Sequence, residues 1–294
     1  MGGKLLARAV GLVGLALAAG GLTGCEMSDP PATRNNLNDG ASAAVDTADT
    51  GGGECGCLKP GLWFRFEKLT LDSIDLGKHN VQLALNPLWK KDIETFELNF
   101  YAHVKAVTAT EVTIEIVNGA RVAGSTDVCL LPYTKVEVVN PRKGCALDKS
   151  APTAMNVYAG TPANPKNCAP KNEVKHSIPV RGAVLEAVVN ADCTRMDQGI
   201  VSAGHLPKAA LDITCTCLAT GNQTSETCGV PEAGYVDGKG CDGCNSKFQN
   251  LNTLLNNFGT LEYKCKEGGL PAACLTASFW GGIVAGPPPV CPGF

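Results

Sequence analysis

Phe96-Glu97-Leu98-Asn99-Phe100-Tyr101-Ala102-His103-Val104 is followed, a few residues on, by Val112-Thr113-Ile114-Glu115-Ile116. In both runs apolar side chains occupy alternate positions, and Glu97, Asn99, Tyr101, His103, Thr113 and Glu115 stand between them. A period of two sends one set to a buried face and the other toward water, the pattern of half-buried antiparallel strands. Thr108-Ala109-Thr110 between the runs reads as a hairpin turn.

The same period extends outward on both sides. Val81, Leu83 and Leu85 alternate upstream, and Ala183, Leu185, Ala187 and Val189 alternate downstream. Trp63, Phe64, Phe66, Trp89, Phe96, Phe100 and Tyr101 crowd one stretch and supply a core. No βαβ rhythm is present. The expected class is mainly β, an antiparallel sandwich or barrel-like module over residues 55–205. Residues 146–173, with Pro152, Pro162, Pro165 and Pro170, read as one long loop holding Tyr158 and Cys168.

Residues 206–294 differ, because Gly and Cys rise and strand patterning fades. This cysteine-rich C-terminal region is expected to pack on the β domain. Leu206 to Leu218 reads as a short helix. A better one lies near 246–258, where Phe248, Leu251, Leu254, Leu255 and Phe258 share a face and Gly259 ends the run. The tail Gly286-Pro287-Pro288-Pro289 is expected to be extended and pinned by Cys291.

At the other end, Lys4 and Arg8 precede a 13-residue apolar run from Ala9 to Gly21, and Leu22-Thr23-Gly24-Cys25 follows it. Basic, apolar and small-residue regions in that order form an export signal, and the run is shorter than the roughly 20 apolar residues a membrane span needs. With a cysteine directly after the small residues, the segment resembles the lipobox of bacterial lipoproteins. The resemblance covers about the first 25 residues. It implies a signal peptide over 1–24, a diacylglycerol on Cys25, and acylation of the new N-terminus. Residue 26 is Glu rather than the Asp that favours inner-membrane retention in that family. The implied address is therefore the outer membrane, at the cell surface or on the periplasmic face.

After Cys25, residues 26–54 are Ser, Asp, Pro, Ala, Thr, Asn and Gly, with only Met27, Leu37 and Val45 as larger apolar side chains. Such a stretch cannot bury enough surface to offset its ordering entropy. Residues 25–54 thus read as a lipidated cysteine and disordered tether, with a reach of about 30 Å.

The charge balance excludes one class of partner. The chain holds 28 acids and 25 bases. Six acids sit in the tether (Glu26, Asp29, Asp39, Asp46, Asp49 and Glu54), and Lys4, Arg8 and Arg34 lie outside the module. Residues 55–294 therefore carry 22 acids and 22 bases. Nucleic-acid binding requires a basic footprint, and this module has none.

Fourteen of the 15 cysteines follow Cys25. An even number in an exported chain reads as a disulfide set. Cys55, Cys57, Cys129, Cys145, Cys168 and Cys193 lie in the first half, and Cys215, Cys217, Cys228, Cys241, Cys244, Cys265, Cys274 and Cys291 in the second. Each half is able to close its own pairs. Cys55 and Cys57 are too close to bond each other, so each needs a distant partner.

Motifs for chemistry are weak. Cys241-Asp242-Gly243-Cys244 has the spacing of a thiol-exchange site, but the strand–helix–strand setting of such enzymes is missing, and the pair reads as structural. Cys215, Cys217, Cys241 and Cys244 have loose spacing for zinc, and export argues against free thiolates. Asp237-Gly238 and Asp242-Gly243 lack calcium-loop spacing and read as turns. His79, His103, His176 and His205 form no metal motif, and His103 and His176 are expected to be solvated. Ser202 has no nucleophile elbow around it. No catalytic residue, metal or cofactor is indicated.

The expected role is a lipid-anchored, disulfide-stabilised envelope protein that binds or supports rather than catalyses. Its partners would be the membrane, through the lipid, and an envelope protein or glycan recognised by the loops at 146–173 and 219–243. The alternative is an envelope enzyme, either a hydrolase or a thiol–disulfide exchange protein using Cys241 and Cys244.

Overall fold

A computed structural model describes residues 55–74, 80–163, 165–168, 177–216, 249–258 and 261–293. Fourteen strands and three α-helices account for most of them. The strands are β1 (Trp63–Ile74), β2 (Asn99–Val107), β3 (Glu111–Arg121), β4 (Val128–Leu130), β5 (Val136–Lys143), β6 (Ala146–Leu147) and β7 (Thr153–Val157). They continue with β8 (Asn167–Cys168), β9 (Ile178–Val189), β10 (Arg195–Pro207), β11 (Cys215–Thr216), β12 (Gln249–Asn250), β13 (Cys265–Glu267) and β14 (Leu270–Val284). The helices are α1 (Asn80–Glu94), α2 (Lys208–Ile213) and α3 (Leu251–Phe258).

The sheet runs β1-β2-β3-β5-β6-β9-β10-β14 and returns to β1, because β14 also pairs with β1. All eight pairings are antiparallel. Neighbours in the ring are also successive in the chain, apart from the short side strands. The fold is thus an up-and-down barrel, the barrel alternative of the expected β class. Closure removes the open sheet edges that invite misassociation.

The alternation that opens the sequence sets the walls. Phe100, Ala102 and Val104 on β2 and Val112, Ile114 and Ile116 on β3 belong to the buried core, and the hairpin turn falls at 108–110 as expected. Phe66 stacks on Phe279 at 4.3 Å and meets Phe100 at 5.8 Å inside the barrel. Opposite Phe279, Gly199 is required, because a Cβ there would run into the ring. Two bulges on β10 place Gln198 and Ala203 at positive φ and bend the strand around this core. Outward positions carry charge, as at Lys105, Glu115 and Glu137. A membrane-spanning barrel has the reverse polarity, apolar toward lipid and polar within.

One end of the barrel is a hairpin pole. Residues 55–62 close it, with Cys55 and Leu58 buried. Cys55–Cys145 and Cys57–Cys193 staple this segment to the β5–β6 and β9–β10 turns. The distant partners expected for Cys55 and Cys57 are these. The other end is a helical pole, where α1, α2 and α3 gather with a small sheet of β12, β11 and β8.

Four expectations are corrected. Val81 to Leu85 lie in helix α1, not in a strand; Leu85, Trp89 and Ile93 recur every four residues, and that helical spacing dominates. Phe96 is outside any strand, at φ +60° just beyond α1, with its ring under the Arg65 guanidinium on the outer surface. Residues 146–173 are not one loop, since β6, β7 and β8 lie within them. Strand patterning does not fade after 206, because β14 is the longest strand and joins β10 to β1. The boundary at 205/206 consequently falls inside β10, and residues 51–294 form one compact unit.

Of the helices expected near the C-terminus, the first is α2 and the second is α3, which starts later than 246 because β12 precedes it. The halves do not close only their own disulfides. Cys265–Cys274 stays within the second, but Cys129–Cys291 joins the two and pins the tail, where Val290 bridges Leu130.

Candidate functional site

The helical pole contains an apolar cavity of about 140 Å³. Its origin lies in an incomplete wall. β1 pairs with β2 only over Trp63–Arg65, so the upper half of β1 has β14 on one side and, among the described residues, no strand on the other. Helix α1 fills the gap. The Asn86 side chain accepts from the Leu71 N–H at 2.8 Å and donates to the Leu71 carbonyl at 3.1 Å, replacing the missing strand. Leu85, Leu88 and Trp89 of α1 then face Leu71 and Ile74 of β1 across the space.

Helix α3 supplies the opposite wall with Leu251, Leu254 and Leu255. Its asparagine-rich face holds it in place: Asn252 donates to Asp212 and accepts from the Tyr263 hydroxyl, both at 2.6 Å. Strand ends complete the lining with Leu98, Val157, Ile178, Val180, Leu206 and Leu275. Hydrophobic walls converging on a few polar groups are the composition of a small-molecule site, and an eight-stranded barrel has room for one small ligand.

Three polar residues reach this cavity: Asp92, Lys166 and Thr216. Lys166 is 4 % exposed, and its ammonium donates to Asp92 Oδ1 at 2.6 Å. Its backbone is fixed at both ends, since its N–H donates to the Ala159 carbonyl and its carbonyl accepts from the Thr216 hydroxyl. Asp92 lies in the last turn of α1, where its backbone carbonyl accepts from Glu97 N–H and Leu98 N–H. A carboxylate at a helix C-terminus faces the negative end of the dipole, so Lys166 offsets both that field and the loss of water.

A second buried pair, Arg121 to Glu97 at 2.7 Å, lies beyond the Leu98–Ala159 bridge. Next to it the Tyr158 hydroxyl donates to the Thr161 carbonyl at 2.6 Å, and burial holds its pKa far above the usual phenol range.

The other expected site residues are scattered. Cys55, Cys57 and Cys193 bring three sulfurs within 4.8 Å, but each is in a disulfide, so they form two adjacent bridges and no metal site. Cys215 is disulfide-bonded as well, and Cys168 lies in β8 beside it. Cys25, Cys217, Cys228, Cys241 and Cys244 lie outside the described residues, as do His79, His176, Asp237, Asp242 and the 219–243 loop. Ser202 sits on β10, and His205 contacts the Glu267 carboxylate away from the cavity.

His103 is half-buried rather than freely solvated. It stacks on Trp63 at 4.2 Å beside Glu115, and desolvation lowers its pKa although Glu115 opposes the shift.

Lys166 and Asp92 carried no motif in the sequence. The usable signal was the four-residue spacing of Leu85, Trp89 and Ile93, which places Asp92 one turn from Leu88 on the inner side of a helix.

Fold and site together define a closed, disulfide-stapled eight-stranded barrel with an apolar end-cavity. Compared with protein-family models, curated proteins and solved structures, the chain matches none.

Proposed function

We propose that this protein is a lipid-anchored binding protein of the cell envelope, and that it takes up a small apolar ligand in the cavity at the helical pole without transforming it. The observation that carries the reading is the roughly 140 Å³ space walled by leucines from α1 and α3 and by the barrel's strand ends. Dry cavities of about 150 Å³ lined by Leu, Ile and Phe accept benzene. The site therefore suits a molecule of one ring or a short branched chain. Lys166 and Asp92 act as a polar anchor on the wall. Anchorage through Cys25 supports the reading by the lipobox resemblance, and the cysteine content suits an oxidising compartment.

The test is thermal unfolding of the full chain with and without saturating benzene. A ligand that binds only the folded state stabilises it by mass action, by about 2.7 kcal/mol at a hundredfold excess over its Kd. The expected result is a rise in Tm of several degrees that is lost in Ala159→Leu, because Ala159 also lines the cavity and the larger side chain occupies it. An unchanged Tm in the unaltered protein would refute the reading.

A further inference from the structure

We infer that the natural ligand of this cavity is electrically neutral, about the size of one six-membered ring, and carries a single hydrogen-bonding oxygen, as a phenol or a cyclic alcohol does. This rests on the cavity being a ligand site and goes further by naming the chemical class. Size comes from the volume. Polarity comes from Lys166 and Asp92.

An ammonium has three N–H donors. Among the described residues, Asp92 Oδ1 is the acceptor for Lys166 Nζ. Donor capacity remains for an oxygen placed in the cavity. The Asp92 carboxylate in turn accepts from a ligand hydroxyl. One oxygen bearing one hydrogen thus meets both partners at once.

Charge decides against the ionic analogues. Lys166 and Asp92 sum to zero, and the walls around them are leucine, isoleucine, valine and tryptophan. A carboxylate ligand would place a second anion beside Asp92. An amine would place a second cation beside Lys166. Either leaves one charge uncompensated against largely apolar walls. A hydrocarbon fits but leaves the donor capacity unused. Of these four, the neutral hydroxyl satisfies both groups without changing the net charge.

The test is a four-ligand series on the full chain at pH 7, using benzene, phenol, benzoate and benzylamine, with dissociation constants measured by ligand-observed NMR. Phenol is neutral at this pH. It is expected to bind about fivefold or more tighter than benzene, and benzoate and benzylamine at least about tenfold weaker than phenol. The double variant Asp92→Leu/Lys166→Met removes both charges together, which avoids stranding either one. There the order reverses, with phenol bound more weakly than benzene, because its hydroxyl is buried without a partner.

Benzene binding without a preference for phenol would overturn this inference and leave the cavity reading standing. No binding of any of the four would overturn both. A phenol preference that survives in the double variant would also overturn it. The series on the unaltered protein decides the matter even where the double variant does not fold.

Discussion

Three asparagines do the work of absent strands. Asn86 serves Leu71 in place of β2, as described above. Asn140 donates to the carbonyls of Asp148 and Leu185, both at 2.7 Å, where β6 is only two residues long and cannot span β5 and β9. Asn118 donates to the Asn156 carbonyl at 2.8 Å and accepts from the Tyr158 N–H at 3.0 Å, stitching β3 to β7 and the residue after it. An unpaired backbone group in a dry wall costs about 1–3 kcal/mol. Asn118→Ala strands two of them, so a loss of roughly 2–5 kcal/mol in urea unfolding is expected, and a loss below 1 kcal/mol would contradict this role.

His103 carries a prediction of its own. Its pKa is lowered in the fold by desolvation, against the pull of Glu115, with Lys105 and Lys135 acting in the same direction as burial. The folded state therefore favours the neutral ring. Stability from this site is present above about pH 6.5, the ordinary histidine value, and fades as pH falls below it. His103→Gln should flatten the acid limb of a stability–pH profile between about pH 7 and 5, measured by denaturant midpoints. An unchanged slope would remove His103 as its source.

At the scale of elements, the two poles are built differently. At the hairpin pole two disulfides tie down the entering segment, whereas at the helical pole, where Cys215 and the Cys265–Cys274 pair are also bonded, the cavity walls are held by the packing of α1 and α3. Cys57–Cys193 closes 136 residues. Replacing both with serine should cost about 3–5 kcal/mol and lower Tm by about 10 °C. Benzene affinity well below the new Tm should be unchanged, because no residue of this bridge lines the cavity. Lost affinity in a folded variant would mean the poles are coupled.

What could be read from sequence follows the same division. β2, β3 and β9 were legible because large apolar residues alternate over a full strand with polar ones. β14 alternates as well, at Ala273, Leu275, Ala277 and Phe279, but its small residues and glycines weaken the contrast. α1 is disguised in the sequence because three alternating residues at its start satisfy a strand period before the helical one becomes visible. The site itself was hidden. Lys166 sits among prolines in what resembles a solvated loop, and its burial is set by a carboxylate 74 residues away.

For the whole molecule, direction matters. The chain enters the barrel at Cys55, in the hairpin pole, and the cavity lies at the opposite pole with α1 and α3. The described chain thus begins at the end of the barrel remote from the cavity. If residues 26–54 form the tether expected from their composition, they would add a reach of about 30 Å. Three acyl chains would hold the protein firmly, since each buried methylene contributes about 0.8 kcal/mol and two chains already suffice. Cys25→Ala removes the proposed attachment atom and leaves every described residue of the barrel untouched. The variant should therefore leave the membrane pellet for the soluble fraction after a carbonate wash, yet keep the Tm and the benzene-induced shift of the unaltered barrel. If it still pellets with membranes, the lipid is not what holds the protein there. If it is released but no longer binds, the site depends on the membrane.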